Sequence, residues 1–209
     1  IMLRVLGAAI LFWILSPFAP KEKVEKKDWP RMLCCAIFGM CINMLFFFKG
    51  LSLSTPINSS VIITVSPVMV LILASIILKE KITFLKGVGI AFGLSGALAL
   101  VVFSADSVTN APNIPLGNLM FIVNAFSYGL YLVIVKPLTK KYHAITLMKW
   151  PFLMGVFLNL PVTYSEFVAV DWFHLPFDAI WRMAFVVAGT TFSTYLLNIY
   201  ALKQLSAST

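Results

Sequence analysis

Seven apolar runs, each about 20 residues long, constrain this chain more than anything else in it. They cover approximately residues 1–18, 32–50, 55–78, 83–103, 117–136, 144–164 and 179–202. About 20 such residues carry a helix across the hydrocarbon core, and only a helix satisfies its own backbone there. The breaks read "KEKVEKKDWPR", "KEK", "SADSVTNAPNIP", "KPLTKKYH" and "SEFVAVDWFHLPFD", none long enough for a soluble domain. Composition agrees. Of 209 residues 60% are hydrophobic and only 11% charged, where a soluble domain carries about a quarter. The fold class that follows is all-α, a polytopic helix bundle integral to the cytoplasmic (inner) membrane.

The net charge of +8 raises nucleic acid as a partner, but the cations stand in short loops, where they set topology. The break after the first run holds Lys21, Lys23, Lys26, Lys27 and Arg31. That after the third holds Lys79 and Lys81, with Lys86 close by; that after the fifth holds Lys136, Lys140 and Lys141; Lys203 follows the seventh. The alternate breaks carry Lys49, then only Asp106, then Glu166, Asp171 and Asp178 before Arg182. This alternation assigns the first set to the cytoplasm. Nucleic acid is excluded as a partner, and the lipid bilayer takes its place.

Two pairs of runs repeat each other. The first, "IMLRVLGAAILFWILSPF", and the sixth, "ITLMKWPFLMGVFLNLPV", each have a cation near the start (Arg4, Lys149) and a later proline (Pro17, Pro161). The second ends "FFFKGLSLSTP" and the seventh "LNIYALKQLSAS". Setting Gly50-Leu51 on Ala201-Leu202 gives an offset of 151 residues, against 144 for the prolines, and the longer break before the seventh run absorbs the difference. Copies five helices apart must cross in opposite directions, as the charges independently require. Inverted repeats of this kind mark secondary transporters. The chain opens at Ile1 inside an apolar run and closes mid-element at "LSAST", which reads as a piece of a longer protein. Extrapolation adds one helix before Ile1 and two after Thr209, giving ten helices of which about seven are here.

The stretch "KGLSLSTPINSSVIITVSPVMVLILASIILKEKITFLKGVGIAFGLSGALALV" resembles the EamA-type repeat of the drug/metabolite transporter superfamily. The resemblance lies in Gly50-Leu51, the Ser/Thr before a small-residue helix, Pro67 in "SPV", the Lys-Glu-Lys turn at 79–81, and Gly87, Gly93 and Gly96. "YALKQLSAST" resembles the start of the same pattern in a second repeat. It implies a ten-helix fold with a central solute site, and two domains: residues 1–104, lacking the first helix of its repeat, and 116–209, the first three helices of the other.

Polar groups at membrane depth indicate where such a site would lie. Residues 53–70, "LSTPINSSVIITVSPVMV", put two prolines, an asparagine, two threonines and four serines inside a spanning run. By helical spacing Thr55, Asn58, Ser59 and Ser66 form one stripe. Asn124, Ser127, Tyr128 and Tyr131 form a second, and Thr191, Thr194, Tyr195 and Asn198 a third. Asn43 is the repeat mate of Thr194 under the offset of 151. Interhelical hydrogen bonding, worth about 0.6 kcal/mol on average, accounts for any single Ser or Thr. The Asn and Tyr groups as a set read as a polar cavity, giving Asn43, Asn58, Ser59, Asn124, Tyr128, Tyr131, Thr194, Tyr195 and Asn198 as substrate-binding candidates. Pro67 deprives Ile63 of its helical hydrogen bond and kinks the helix. Gly89, Gly93 and Gly96 read as close-packing glycines. Arg4 and Lys149, the two cations well inside runs, either snorkel to the interface or attract an anionic or zwitterionic solute.

All eight acids lie in breaks or at run ends, which argues against a carboxylate proton relay in this part. Cys34, Cys35 and Cys41 lack metal-ligand spacing, and His143 and His174 form no cluster, so neither a metal nor a cofactor is expected. An intramembrane enzyme would need a nucleophile–base pair that is not seen. The expected function is secondary transport of a small metabolite or drug-like solute by alternating access of the repeats, with no catalytic residue. A second copy, as a homodimer, is an allowed partner. The competing class is a seven-helix receptor or sensory protein; against it stand the five-helix repeat and the lack of a lysine within helix 7 to hold a retinal.

Overall fold

The computed structural model describes residues 1–64, 66–79, 84–85, 87–89, 91–92, 95 and 111–205. Among them there is no strand. The chain opens with α1 (Met2–Phe18), a short apolar helix that tightens into a 3₁₀ turn at Ser16–Phe18. Then come α2 (Lys26–Leu53), α3 (Pro56–Ile63) and α4 (Ser66–Ile77), α5 (Ile114–Thr139), α6 (Ala144–Val168) and α7 (Phe177–Gln204). With α3 and α4 taken as one span, Pro56–Ile77, these give five helices long and apolar enough to cross a membrane. The fold is therefore an all-helical, polytopic bundle. Most of the run 83–103 lies outside the described residues, together with Glu80, Lys81, Lys86, Gly93, Gly96 and Asp106.

Local chemistry sets the helix starts. Pro30 and Pro56 stand in first turns, where a missing N–H costs nothing. Thr55 is not on the face of α3. It is the N-cap, its hydroxyl accepting the Asn58 N–H at 3.1 Å. The span divides after Ile63, with Pro67 in the first turn of α4. The kink expected at Pro67 is thus a change of element. His143 caps α6 by accepting the Ile145 N–H through Nδ1.

The chain forms two compact units. One comprises Ile1–Cys41 and Ile134–Ser206; the other centres on Ile42–Val133. In the first, α1 and α6 run antiparallel. Trp13 meets Trp150 with ring centroids 5.3 Å apart, Phe12 meets Phe152 at 5.2 Å, and Val5 lies beside Gly155. A Cβ on Gly155 would stand 2.8 Å from the Cβ of Met40, so only hydrogen fits there. Val5, Phe12, Met40 and Phe152 are all fully buried. Lipid tails are as apolar as these side chains, so close packing rather than water exclusion holds the contact.

The second unit repeats the device. The C-terminal half of α2 runs antiparallel to α5, with Asn43 opposite Asn124, Phe47 and Phe121 rings 6.0 Å apart, and Gly50 against Gly117. A Cβ on Gly117 would lie 2.5 Å from Ser54 Cβ and 2.8 Å from the Gly50 carbonyl oxygen. Gly89, expected to permit close packing, has no neighbour among the described residues within 4 Å of where its Cβ would stand.

Candidate functional site

Two long helices each contain a π-helical segment, Ala36–Ile42 in α2 and Val186–Ser193 in α7. The repeat offset of 151 maps the first onto residues 187–193, so the wide turns occupy equivalent places in the two halves. A π-helix bonds i to i+5, which changes the phase of every side chain beyond it. In α7 the side chains follow the same count. The hydroxyls of Thr191, Ser193 and Thr194 donate to the carbonyls five residues back, at Val186, Ala188 and Gly189. Asn43 and Thr194, the repeat mates, each come directly after a π-helix.

In the unit centred on Ile42–Val133, Asn43 and Asn124 face each other. Asn124 Nδ2 donates to the Asn43 carbonyl at 2.7 Å, and Asn43 Nδ2 returns a bond to the Asn124 carbonyl at 3.3 Å. A second group joins the end of α2, the start of α3 and α5. Ser54 Oγ donates to Asn118 Oδ1 at 2.7 Å, and Asn58 Nδ2 donates to Ser54 Oγ at 3.4 Å. Ser59 is buried and Asn58 half-buried on α3. The rings of Tyr128 and Tyr131 lie 5.9 Å apart on α5, Tyr131 fully buried and Tyr128 partly open. Asn118 and Ser54 were not among the expected residues. Both sit near run ends, where a polar side chain in the sequence is unremarkable.

The other unit contains the remaining candidates. Tyr195 is buried, and its hydroxyl donates to the Gly39 carbonyl inside the first π-helix at 2.8 Å. Thr194 is exposed and bonds back to its own helix, while Asn198 is half-buried. These three therefore do not share one buried face. Asn159 was missed. Fully buried on α6, it donates through Nδ2 to the carbonyls of Met40, also in the first π-helix, and Gly155, at 3.2 and 2.7 Å. Its Oδ1 has no hydrogen-bond partner among the described residues. Asn159 and Tyr195 together place two donors on neighbouring carbonyls of one wide turn.

The two intrahelical cations differ in surroundings. Arg4 Nε donates to Thr191 Oγ1, in the second π-helix, at 2.9 Å. Lys149 Nζ donates to Ser16 Oγ at 2.8 Å and lies 5.3 and 5.7 Å from the ring centroids of Trp13 and Trp150. Beside Lys149, two cation-bearing breaks lock together. Asp28, nearly fully buried, accepts from Lys141 Nζ and from the Tyr142 hydroxyl, both at 2.9 Å. Glu22 accepts the His143 N–H at 2.8 Å, and Tyr142 accepts the Glu25 N–H at 3.1 Å. Burial pushes the Tyr142 phenol above its ordinary pKa; the Glu25 N–H pulls it down, and Asp28 pushes it up again. Lys136 Nζ donates to the Leu202 and Leu205 carbonyls, closing the end of α7. Breaks assigned by charge to one side of the membrane are thus in contact.

The described groups offer hydrogen-bond donors, acceptors and aromatic rings, a set suited to holding a solute by non-covalent contacts. Sequence comparison points the same way. An uncharacterized transporter of Archaeoglobus fulgidus is 29% identical over 187 residues, covering 90% of this chain and 64% of that protein. The uncharacterized transporter YyaM of Bacillus subtilis is 24% identical over 202 residues, covering 97% of this chain and 66% of its own length. The riboflavin transporter ImpX of Fusobacterium nucleatum is 29% identical over 126 residues, 57% of this chain and 41% of ImpX. The chain thus spans a little under two thirds of the length of the first two relatives. Its residues 1–102 and 115–209 both match the EamA-like transporter family, and the chain belongs to that family, within the drug/metabolite transporter superfamily.

Proposed function

We propose that this chain forms most of a secondary transporter that moves a small metabolite or drug-like solute across the cytoplasmic membrane by alternating access of two inverted repeats. The observation that carries the reading is the pair of π-helices at repeat-equivalent positions. A wide turn is a place where a helix can change register at low cost, and two in register give each half the same moving part. The antiparallel course of α1 and α6, the two mates of the repeat, supports inverted topology. Extending that repeat gives ten helices, with repeats at 1–104 and 116–209.

Asn43 and Asn124, which bond each other's backbone, act as frame. Asn58, Ser59, Tyr128 and Tyr131, all in the unit centred on Ile42–Val133, are the groups we assign to the solute, by hydrogen bonding and ring contact. Thr194 contributes through the helix rather than to the solute. No covalent step is involved.

The full-length protein, reconstituted in vesicles, is expected to move at least one member of a panel of amino acids, nucleobases, sugar derivatives and riboflavin. Tyr128→Phe and Asn58→Ala should then change the apparent affinity at least severalfold with the folded fraction unchanged. Transport of nothing in the panel would sink the class. Unchanged kinetics in both variants would remove those two residues from the site.

A further inference from the structure

Residues 21–31, which lead from α1 into the first turns of α2, carry five cations and three acids, and the structure sorts them unequally. Each acid is spent inside the protein: Glu22 on the His143 N–H, Asp28 on Lys141 and Tyr142, and Glu25 on Lys27 at 2.7 Å. Lys21, Lys23, Lys26 and Arg31 remain exposed with no acid paired to them among the described residues, as does Lys140 from the break that locks against this one. Beside them stands a row of indoles. Trp29, two residues from Arg31, meets Trp150 at 5.0 Å between centroids, Trp150 meets Trp13, and Lys149 lies over the last two. Trp13 is 39% exposed, and from its side of α1 an apolar stripe, Ile10, Ile14 and Phe18, is exposed at 50%, 60% and 85%.

We propose that this corner binds the headgroup of an anionic phospholipid. The unpaired cations take the phosphate charge, the indoles sit at glycerol depth where amphipathic rings are favoured, and the stripe on α1 takes an acyl chain. The combination fits a lipid better than a soluble anion because charge, amphipathic rings and open apolar surface follow one another in the order of the lipid's own parts. The assignment goes beyond the transport reading and does not depend on it.

The indoles make the test direct. Residues 1–209 hold five tryptophans, and Trp172→Phe with Trp181→Phe, with any tryptophan elsewhere in the full-length protein replaced likewise, leaves Trp13, Trp29 and Trp150 as reporters. In vesicles of phosphatidylcholine containing a brominated lipid, brominated phosphatidylglycerol should quench this protein more strongly than brominated phosphatidylcholine. Lys26→Gln and Arg31→Gln should each lower that selectivity by up to about fivefold, as should added salt. Mass spectrometry of the unaltered full-length protein released from mixed membranes should show retained phosphatidylglycerol, so the outcome does not hang on the tryptophan variants. Equal quenching by the two lipids with no retained anionic lipid would overturn the proposal. So would loss of selectivity on adding inorganic phosphate at constant ionic strength, which would reassign the corner to a soluble anion.

Discussion

Tyr195 uses its hydroxyl on a carbonyl that lies inside a wide turn, and its ring packs edge-on against Phe152 with centroids 5.1 Å apart. Tyr195→Phe keeps the ring and deletes only the donor. A loss of about 1 kcal/mol in unfolding free energy in detergent is expected, the worth of one buried hydrogen bond. No loss would mean that the Gly39 carbonyl finds a substitute donor. Asn159 is the harder case at this scale. Its Nδ2 is doubly engaged while Oδ1 has no described partner, an imbalance that native proteins keep rare. Stripes of polar residues were legible in the sequence because helical spacing reveals them. Asn159 stands in "VFLNLPVT", where Thr163 at i+4 is its one polar neighbour by helical spacing; a pair falls short of the four-residue stripes read elsewhere, although burial makes Asn159 the more constrained residue.

Elements were legible where their ends had chemistry. Apolar runs bounded by polar breaks placed α5, α6 and α7 within four residues of where they lie, while α2 begins six residues before its run. The π-helices were not legible, because a phase change inside a run that is apolar on nearly every side interrupts no clear pattern. That omission explains the α7 candidates: Thr191 and Tyr195 are buried while Thr194, predicted to share their face, is exposed. The close contact of Gly50 with Gly117 was not foreseen: a Cβ on either would meet the other's carbonyl oxygen, at 3.0 and 2.8 Å. Gly117→Ala should drive α5 away from α2 and cost about 1–3 kcal/mol of stability, read as a lower unfolding midpoint in detergent. An unchanged midpoint would refute the packing described for this unit.

At the scale of the molecule, the charge pattern of the breaks was legible, and two of the breaks it grouped together, those at 21–31 and 136–143, are in contact. The clasp of Asp28 with Lys141 and Tyr142 turns that charge pattern into structure. Asp28→Ala strands the buried Tyr142 hydroxyl, while Lys141 keeps solvent and Glu25, and should cost about 1–3 kcal/mol. It should also raise the rate of proteolytic cutting near residue 28 in inside-out vesicles; protection equal to the unaltered protein would show the clasp to be dispensable. The placement of the two π-helices has a consequence of a different kind. A wide turn is one surplus residue in a helix, and a surplus residue is the trace of an insertion. Under the offset of 151 the two fall on matching residues, which one insertion in a half-length ancestor would produce in a single event and two separate insertions only by coincidence.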